Sequence, residues 1–310
     1  MNRTLSAIAA MGLMLGVGAC SVAVAQDPPT ASTVELPGAS MELPPASLEP
    51  ATTTTSIATA TTTTTATTTT RTVTPTDPFA RPDWLGTRAL PLTPDGFGEV
   101  SPTPPELVDR RFATPPLLPP PQSGAFESTR GTLPVEIADR SSWHEGCPVA
   151  LDDLAYITVS HVGFDGGAHT GEMIVNAAAA ADVVDVFAEL FAIGFPIEEM
   201  RVVRADEIDA PPTGDGNVTS SFECRQATGT RKWSRHAAGL AIDINPFHNP
   251  YLKGDLVIPE LASYYLQREL NLPGMVARGG VAEAFASIGW KWGGDWSSLK
   301  DWMHFSDSGT

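Results

Sequence analysis

Between Gln26 and about Arg130 the sequence is dominated by Pro, Thr, Ala and Ser, and residues 52–74 are almost entirely Thr and Ala. Few large apolar side chains and many prolines cannot offset the entropy of ordering a backbone, so this span is expected to be a disordered stalk. About a hundred flexible residues reach roughly 50–60 Å root-mean-square, and proline stiffening lengthens that. A packed core is thereby confined to residues 131–310, which is enough chain for one domain.

Met1-Asn-Arg3, an apolar run over residues 5–17 that is too short to span a bilayer, and small residues after it have the build of a secretory signal over residues 1–25. Two processing routes compete. Ala23-Val-Ala25 before Gln26 suits ordinary cleavage, and Val17-Gly-Ala-Cys20 suits a lipoprotein with Cys20 acylated. Either places the mature chain outside the cytoplasm, secreted or lipid-anchored at the envelope, and no later segment is apolar enough for a transmembrane span. Of the net charge of -17, most lies in residues 131–310, which hold 25 acidic and 12 basic side chains. Such an acidic domain argues against nucleic acid as a partner and against electrostatic adhesion to an anionic bilayer. With Cys20 removed or acylated, Cys147 and Cys224 are left, and an oxidising compartment favours a disulfide between them. The loop it closes would stabilise by roughly 4–5 kcal/mol in the chain-entropy model.

Within residues 131–310 the spacing predicts strands over 156–162 and 171–175, joined by the turn residues Phe164-Asp-Gly-Gly. Val183, Val184, Val186, Phe187, Leu190 and Phe191 recur at helical spacing and predict a helix over 176–193, closed by Gly194. Further strands are expected over 197–203 and 240–244, and a shorter helix over 280–288, ended by Gly289. Residues 252–273 show no clean period and are expected to cross the surface. The sum is an α+β domain on a mixed or antiparallel sheet. A monomer is expected.

Two C-terminal segments carry the chemistry: Ser234-Arg-His-Ala-Ala-Gly-Leu-Ala-Ile-Asp243 and Asp301-Trp-Met-His304. A catalytic zinc takes three nitrogen or oxygen ligands and leaves one position for water, and His236, Asp243 and His304 could supply them. Asp243 sits in the apolar frame Leu240-Ala-Ile-Asp-Ile244, where an unpaired carboxylate would be costly to desolvate. Gly239 lets the backbone between His236 and Asp243 turn tightly. Asp301 is placed to accept a proton from water. Asp295, in a Gly-Gly-Asp turn, is the second choice as base, since such side chains more often bond local backbone. His161, His169 and His248 read first as structural or surface histidines, and Trp290, Trp292, Trp296 and Trp302 first as core.

Ser234-x-His236-x-x-Gly239-x-Ala241-x-Asp243, then Asn245-Pro and Asn249-Pro-Tyr251, then Gly289-Trp-x-Trp-Gly-Gly-x-Trp296 and Asp301-x-Met-His304-Phe305 resemble the D-alanyl-D-alanine carboxypeptidase family of zinc metallopeptidases. Ser220-Ser-Phe-x-Cys-Arg225 and Gly171-Glu-x-x-Val175 extend the resemblance upstream, so that it covers roughly residues 145–306. The resemblance implies a hedgehog-type α+β zinc domain and cleavage of peptide bonds in peptidoglycan stem peptides, as a carboxypeptidase or an endopeptidase. It implies one zinc per chain on His236, Asp243 and His304, with Asp301 as general base. Arg225 falls where the family holds the substrate carbonyl or carboxylate, and Ser234 on a substrate hydrogen-bonding serine. The alternative is a non-catalytic zinc-containing cell-wall-binding module, against which the presence of Asp301 speaks.

Overall fold

The computed structural model describes residue 77 and residues 79–310. The expected signal over residues 1–25, the acylation site at Cys20 and the stalk from 26 to 76 lie outside the described residues. The first elements are a one-turn helix α1 (Pro105–Val108), strand β1 (Ser128–Thr132) and helix α2 (Val135–Arg140). Next come β2 (Leu154–Val162) and β3 (Ala168–Asn176), an antiparallel hairpin in register from Leu154↔Asn176 to Val162↔Ala168, with β1 on its outer edge. Both strands run longer than the 156–162 and 171–175 expected. The hairpin turns where Phe164-Asp-Gly-Gly predicts, with Gly166 at φ 76°.

Ile157, Val159, Met173 and Val175 alternate onto one face of this sheet and are buried there. Helix α3 (Ala180–Ala192) lays Val183, Val186, Phe187 and Leu190 on that face, each fully buried; such burial contributes about 1.5–3 kcal/mol per side chain. The helix starts later than residue 176 because Asn176 first accepts from the Ala178 N–H at 3.1 Å, a local turn that competes with helix. It ends at Gly194, φ 68°, as expected.

Downstream, β4 (Glu199–Met200) is shorter than the expected 197–203. It pairs in parallel only with the two residues of β5 (Val218–Thr219), and after it the backbone turns into α4 (Ala205–Ile208). Then follow β6 (Ala241–Asp243), β7 (Tyr251–Lys253), β8 (Leu256–Ile258), α5 (Val281–Ser287), β9 (Lys291–Trp292), β10 (Lys300–Asp301) and β11 (His304–Ser306). They form two small antiparallel sheets, ordered β6-β11-β9 and β10-β7-β8. The α+β class holds. The expected mixed or antiparallel sheet is divided into three antiparallel three-stranded sheets and one parallel pair, because strands this short are broken by Pro246, Pro250 and Pro259 before they can extend. The disulfide Cys147–Cys224 is formed, with Cα atoms 5.8 Å apart.

Two expectations need correction. The stalk does not continue to residue 130: residues 79–127 are packed on the domain as a strap. Leu107 and Phe112 are buried with Phe247, Leu261, Ala262, Tyr265 and Met275. Arg110, 2 % exposed, forks onto Glu198 with Nε and Nη2 at 2.8 Å each and donates through Nη1 to the Asp215 carbonyl at 2.7 Å. Composition averaged over the whole span concealed these few anchors. Proline itself suits a strap, since it lacks an N–H that would need a partner and favours extended chain. Residues 252–273, in turn, are no surface excursion, because Leu261, Ala262 and Tyr265 form the floor on which the strap lies.

Gly239 closes the turn between His236 and Asp243 at φ 65°, and a Cβ there would stand 2.5 Å from the Asn176 nitrogen and 2.9 Å from the Val175 carbonyl carbon. Left-handed strain and backbone overlap add, so Gly239→Ala is expected to cost about 2–4 kcal/mol. Gly254, φ 59° with open space around it, is the control for strain alone. Equal denaturation midpoints for the two alanine variants would show that the contact with β3 is unimportant.

Candidate metal centre

Ser234 caps a single 3₁₀ turn (Arg235–Ala238): its Oγ accepts from the His236 N–H at 3.3 Å, and Gly239 ends the turn. The turn aims a buried His236 at the end of β6. Asp243 closes β6 and His304 opens β11, directly opposite in the ladder, so both side chains leave the sheet on the same face. His236 Nε2 and His304 Nδ1 are 3.2 Å apart, His304 Nδ1 and Asp243 Oδ1 3.1 Å, and His236 Nε2 and Asp243 Oδ1 3.3 Å. Nitrogen and oxygen bonds to zinc of about 2.0–2.1 Å give tetrahedral donor–donor edges of about 3.3 Å. The triangle therefore has the dimensions of three corners of a zinc site.

Orientation agrees with spacing. A carbonyl can only accept, so His236 Nδ1–H donates to Ser221 O at 2.6 Å and Nε2 keeps its lone pair toward Asp243 and His304. His304 turns Nδ1 inward, and its buried Nε2 has no protein partner among the described residues. Burial opposes charge on Asp243, yet His236 and His304 outweigh it and hold the carboxyl far below its usual range. Burial likewise opposes charge on His236, and Asp243 overrides it, holding the imidazole above its ordinary value. A buried carboxylate between two imidazoles is a donor set whose charge a divalent ion on the same three atoms would balance. The residues present fit zinc.

Asp301 lies on β10, paired with Tyr251 of β7. Gly293 makes room for it: a Cβ there would come within 2.6 Å of the Asp301 carbonyl oxygen and 2.9 Å of its Cβ. Its buried Oδ1 has no hydrogen-bond partner among the described residues. Burial first, and the charge of Asp243 second, push the carboxyl up to about 7, with His304 and Arg225 pulling the other way. A carboxyl so poised can take and return a proton near neutrality.

The stretch before the ligand turn runs beside β6, with the Ser220 and Asp243 backbones bonded both ways at 2.9 and 3.2 Å. That contact delivers Arg225. Its Nε donates to Glu223 Oε2 at 2.6 Å, and Glu223 Oε1 accepts from Ser220 Oγ at 2.8 Å. Against the effect of burial, Glu223 first and then Asp243 and Asp301 keep the guanidinium charged. A cleft of about 680 Å³ joins Arg225, Ser234, His236, Asp243, Asp301 and His304, walled by Tyr251, Trp233 and Trp296.

The remaining candidates fall outside the centre. His161, buried, stacks on His169 at 5.7 Å, and His169 bonds Asp165 at 3.0 Å. His248 donates through Nε2 to Arg110 O at 2.9 Å and accepts at Nδ1 from Asn217 Nδ2 at 3.1 Å; burial pushes it down to about 4, so it stands neutral in the core. Asp295 edges the cleft but is paired with Arg278 at 2.6 Å. Of the four tryptophans singled out, Trp290 packs on Phe285, Trp292 donates to Trp302 O at 2.8 Å, Trp302 lies under Arg268, and Trp296 alone lines the cleft. His144, Cys147 and Cys224 make a second group of possible donors, but the two sulfurs are bonded to each other. Sequence reasoning missed Glu223, the Ser221 carbonyl, Tyr251 and Trp233. Glu223 carried a signal: two residues before Arg225 in an extended stretch, it shares that residue's side of the chain.

Residues 228–307 match the family model described as D-alanyl-D-alanine carboxypeptidase, the family that the motifs resemble. The span includes Ser234, His236, Asp243, Asp301 and His304 and stops short of Arg225. No curated protein and no solved structure matches the chain.

Proposed function

We propose that this chain, whose residues 228–307 match the D-alanyl-D-alanine carboxypeptidase family model, is a zinc-dependent peptidase that hydrolyses peptide bonds in peptidoglycan stem peptides on a hedgehog-type α+β scaffold. The observation that carries this reading is the donor triangle of 3.1–3.3 Å beside a buried carboxyl in a cleft. His236, Asp243 and His304 would hold one ion per chain. When bound, zinc supplies Lewis acidity toward water and the scissile carbonyl.

The rest is done by side chains. Asp301 Oδ1 takes a proton from the attacking water as its oxygen bonds to the carbonyl carbon, then returns it to the amine nitrogen as the carbon–nitrogen bond breaks. Arg225, held by Glu223, turns its guanidinium to the charge that develops on the carbonyl oxygen. Ser234, already capping the ligand turn, offers its hydroxyl at the cleft wall. Tyr251 and Trp296 line the cleft beside these groups and offer ring faces to the substrate. A non-catalytic wall-binding module would have no use for a buried carboxyl left without a partner beside its metal. With the signal over residues 1–25, processed after Ala25 or acylated at Cys20, the site would act outside the cytoplasm.

Purified protein is expected to carry one zinc per chain and to release amino acids or peptides from peptidoglycan, and chelation should abolish that release. His236→Ala should lose stoichiometric zinc. Undiminished turnover after complete chelation would refute metal dependence, and full zinc occupancy in the alanine variant would refute the ligand set. Mass spectrometry of products from defined muropeptides distinguishes carboxypeptidase from endopeptidase action.

A further inference from the structure

The acidic domain has one basic stretch, and it borders the cleft. Of the 12 basic residues in 131–310, Arg225, Arg231, Lys232 and Arg235 fall within 11 consecutive positions that contain no acidic residue. Residues 226–233 form a hydrogen-bonded hairpin. Ala227 N–H donates to Lys232 O at 2.9 Å, Thr230 N–H to Ala227 O at 3.0 Å and Ser234 N–H to Arg225 O at 3.2 Å, with Gly229 at φ 71° in the turn. The hairpin ends at Ser234, so it is fixed to the turn that carries His236.

The other cations that line the cleft are committed. Arg225 is paired with Glu223, Arg235 with Asp307 at 2.8 Å, and Lys300 donates to the Gly294 and Trp296 carbonyls on the opposite wall. Lys232 lines the cleft, is exposed, and has no carboxylate partner among the described residues. Beside it Trp233, 45 % exposed, presents a large apolar ring to the same cleft. An exposed indole next to an unpaired ammonium is a surface for a ligand with a carboxylate and an apolar or saccharide face.

We propose that this hairpin is a substrate-binding lip, on which Lys232 binds a free carboxylate of an acidic, sugar-linked stem peptide and Trp233 packs against its less polar face. This rests on the peptidase reading and narrows its substrate class: stem peptides whose acidic residue is unmodified are favoured over amidated ones. The attraction is partly exposed to solvent and weakens with salt.

The test is calorimetric titration of the zinc-loaded Asp301→Asn protein, in which turnover is slowed, with a muramyl dipeptide ending in free glutamate and with its α-amide. The free acid is expected to bind about tenfold more tightly. Lys232→Gln should bring the two ligands to equal affinity, and Trp233→Ala should weaken both by about tenfold. Equal affinities in the parent protein, no measurable binding of either ligand, or an acid preference that survives Lys232→Gln would overturn the lip. Hydrolysis of longer stem peptides by the unsubstituted protein is read separately. Turnover without acid preference sinks the lip and spares the peptidase, and acid preference without turnover does the reverse.

Discussion

Asp301→Asn is expected to lower kcat by roughly 10²- to 10⁴-fold while the protein still binds one zinc per chain. Asparagine preserves the shape between Gly293 and Tyr251 and removes only the capacity to take a proton. The pH profile supplies a second readout. Burial, with the charge of Asp243 behind it, pushes this carboxyl up to about 7, and a cation on Asp243 draws it down again. With Asp301 as the proposed base, catalysis would need the ionised form, so turnover should rise with pH through a limb at about pH 7 or below, and the residual activity of the variant should lack that limb. Stability should move the other way. A carboxyl raised in the folded state favours the protonated form, so the fold is penalised increasingly as pH climbs from the ordinary carboxylate range through about 7. The metal-free Asn variant is therefore expected to be at least as stable as its parent at pH 8. Full turnover in the variant would remove Asp301 from the mechanism.

The second large effect is expected far from the candidate metal centre. Arg110→Ala should destabilise by about 3 kcal/mol, because it leaves the buried Glu198, 1 % exposed, with only the partly exposed Arg81 at 3.3 Å to offset its charge. The guanidinium also lies 4.5 Å from the Phe247 ring centre and 5.2 Å from that of Phe112, so packing is lost with the charge. Burial pushes Glu198 up, but Arg110 outweighs it and holds the carboxyl below its ordinary value. The pair's contribution is accordingly present at neutral pH and fades as pH falls below the ordinary carboxylate range. A fragment beginning at residue 131 lacks Leu107, Arg110 and Phe112 and is expected not to fold cooperatively. Denaturant unfolding measures the first effect and near-ultraviolet dichroism the second. A cost under about 1 kcal/mol for Arg110→Ala, or a cooperative fragment, would make the strap peripheral.

The strap also marks the limit of sequence reading. Residues 183–190 announce a helix because one element supplies the whole repeating pattern, and α3 lies where the pattern puts it. Trp84, Leu90, Leu107 and Phe112 are too widely and irregularly spaced to form a pattern, and their partners, Phe247, Leu261 and Tyr265, follow more than 130 residues later. No local window holds both halves of that contact. The short strand at Glu199–Met200 is a similar case, since its length is set by the two residues of β5 available to pair with it.

At the candidate metal centre the division is equally physical. The sequence by itself determined which side chains could act as donors, because the histidines and carboxylates of those motifs offer the nitrogen and oxygen lone pairs that a divalent ion takes. It also determined the turn at Gly239, whose left-handed backbone glycine adopts at the least cost. Only the tertiary structure decided that these donors stand 3.1–3.3 Å apart, that Ser221 holds the ring of His236, and that Glu223 holds Arg225. Those facts depend on the β6–β11 ladder, which brings Asp243 against His304 across 61 residues. They depend equally on the Ser220–Asp243 backbone pairing, and long-range register of this kind is settled by packing of the whole chain and by no residue's own preference.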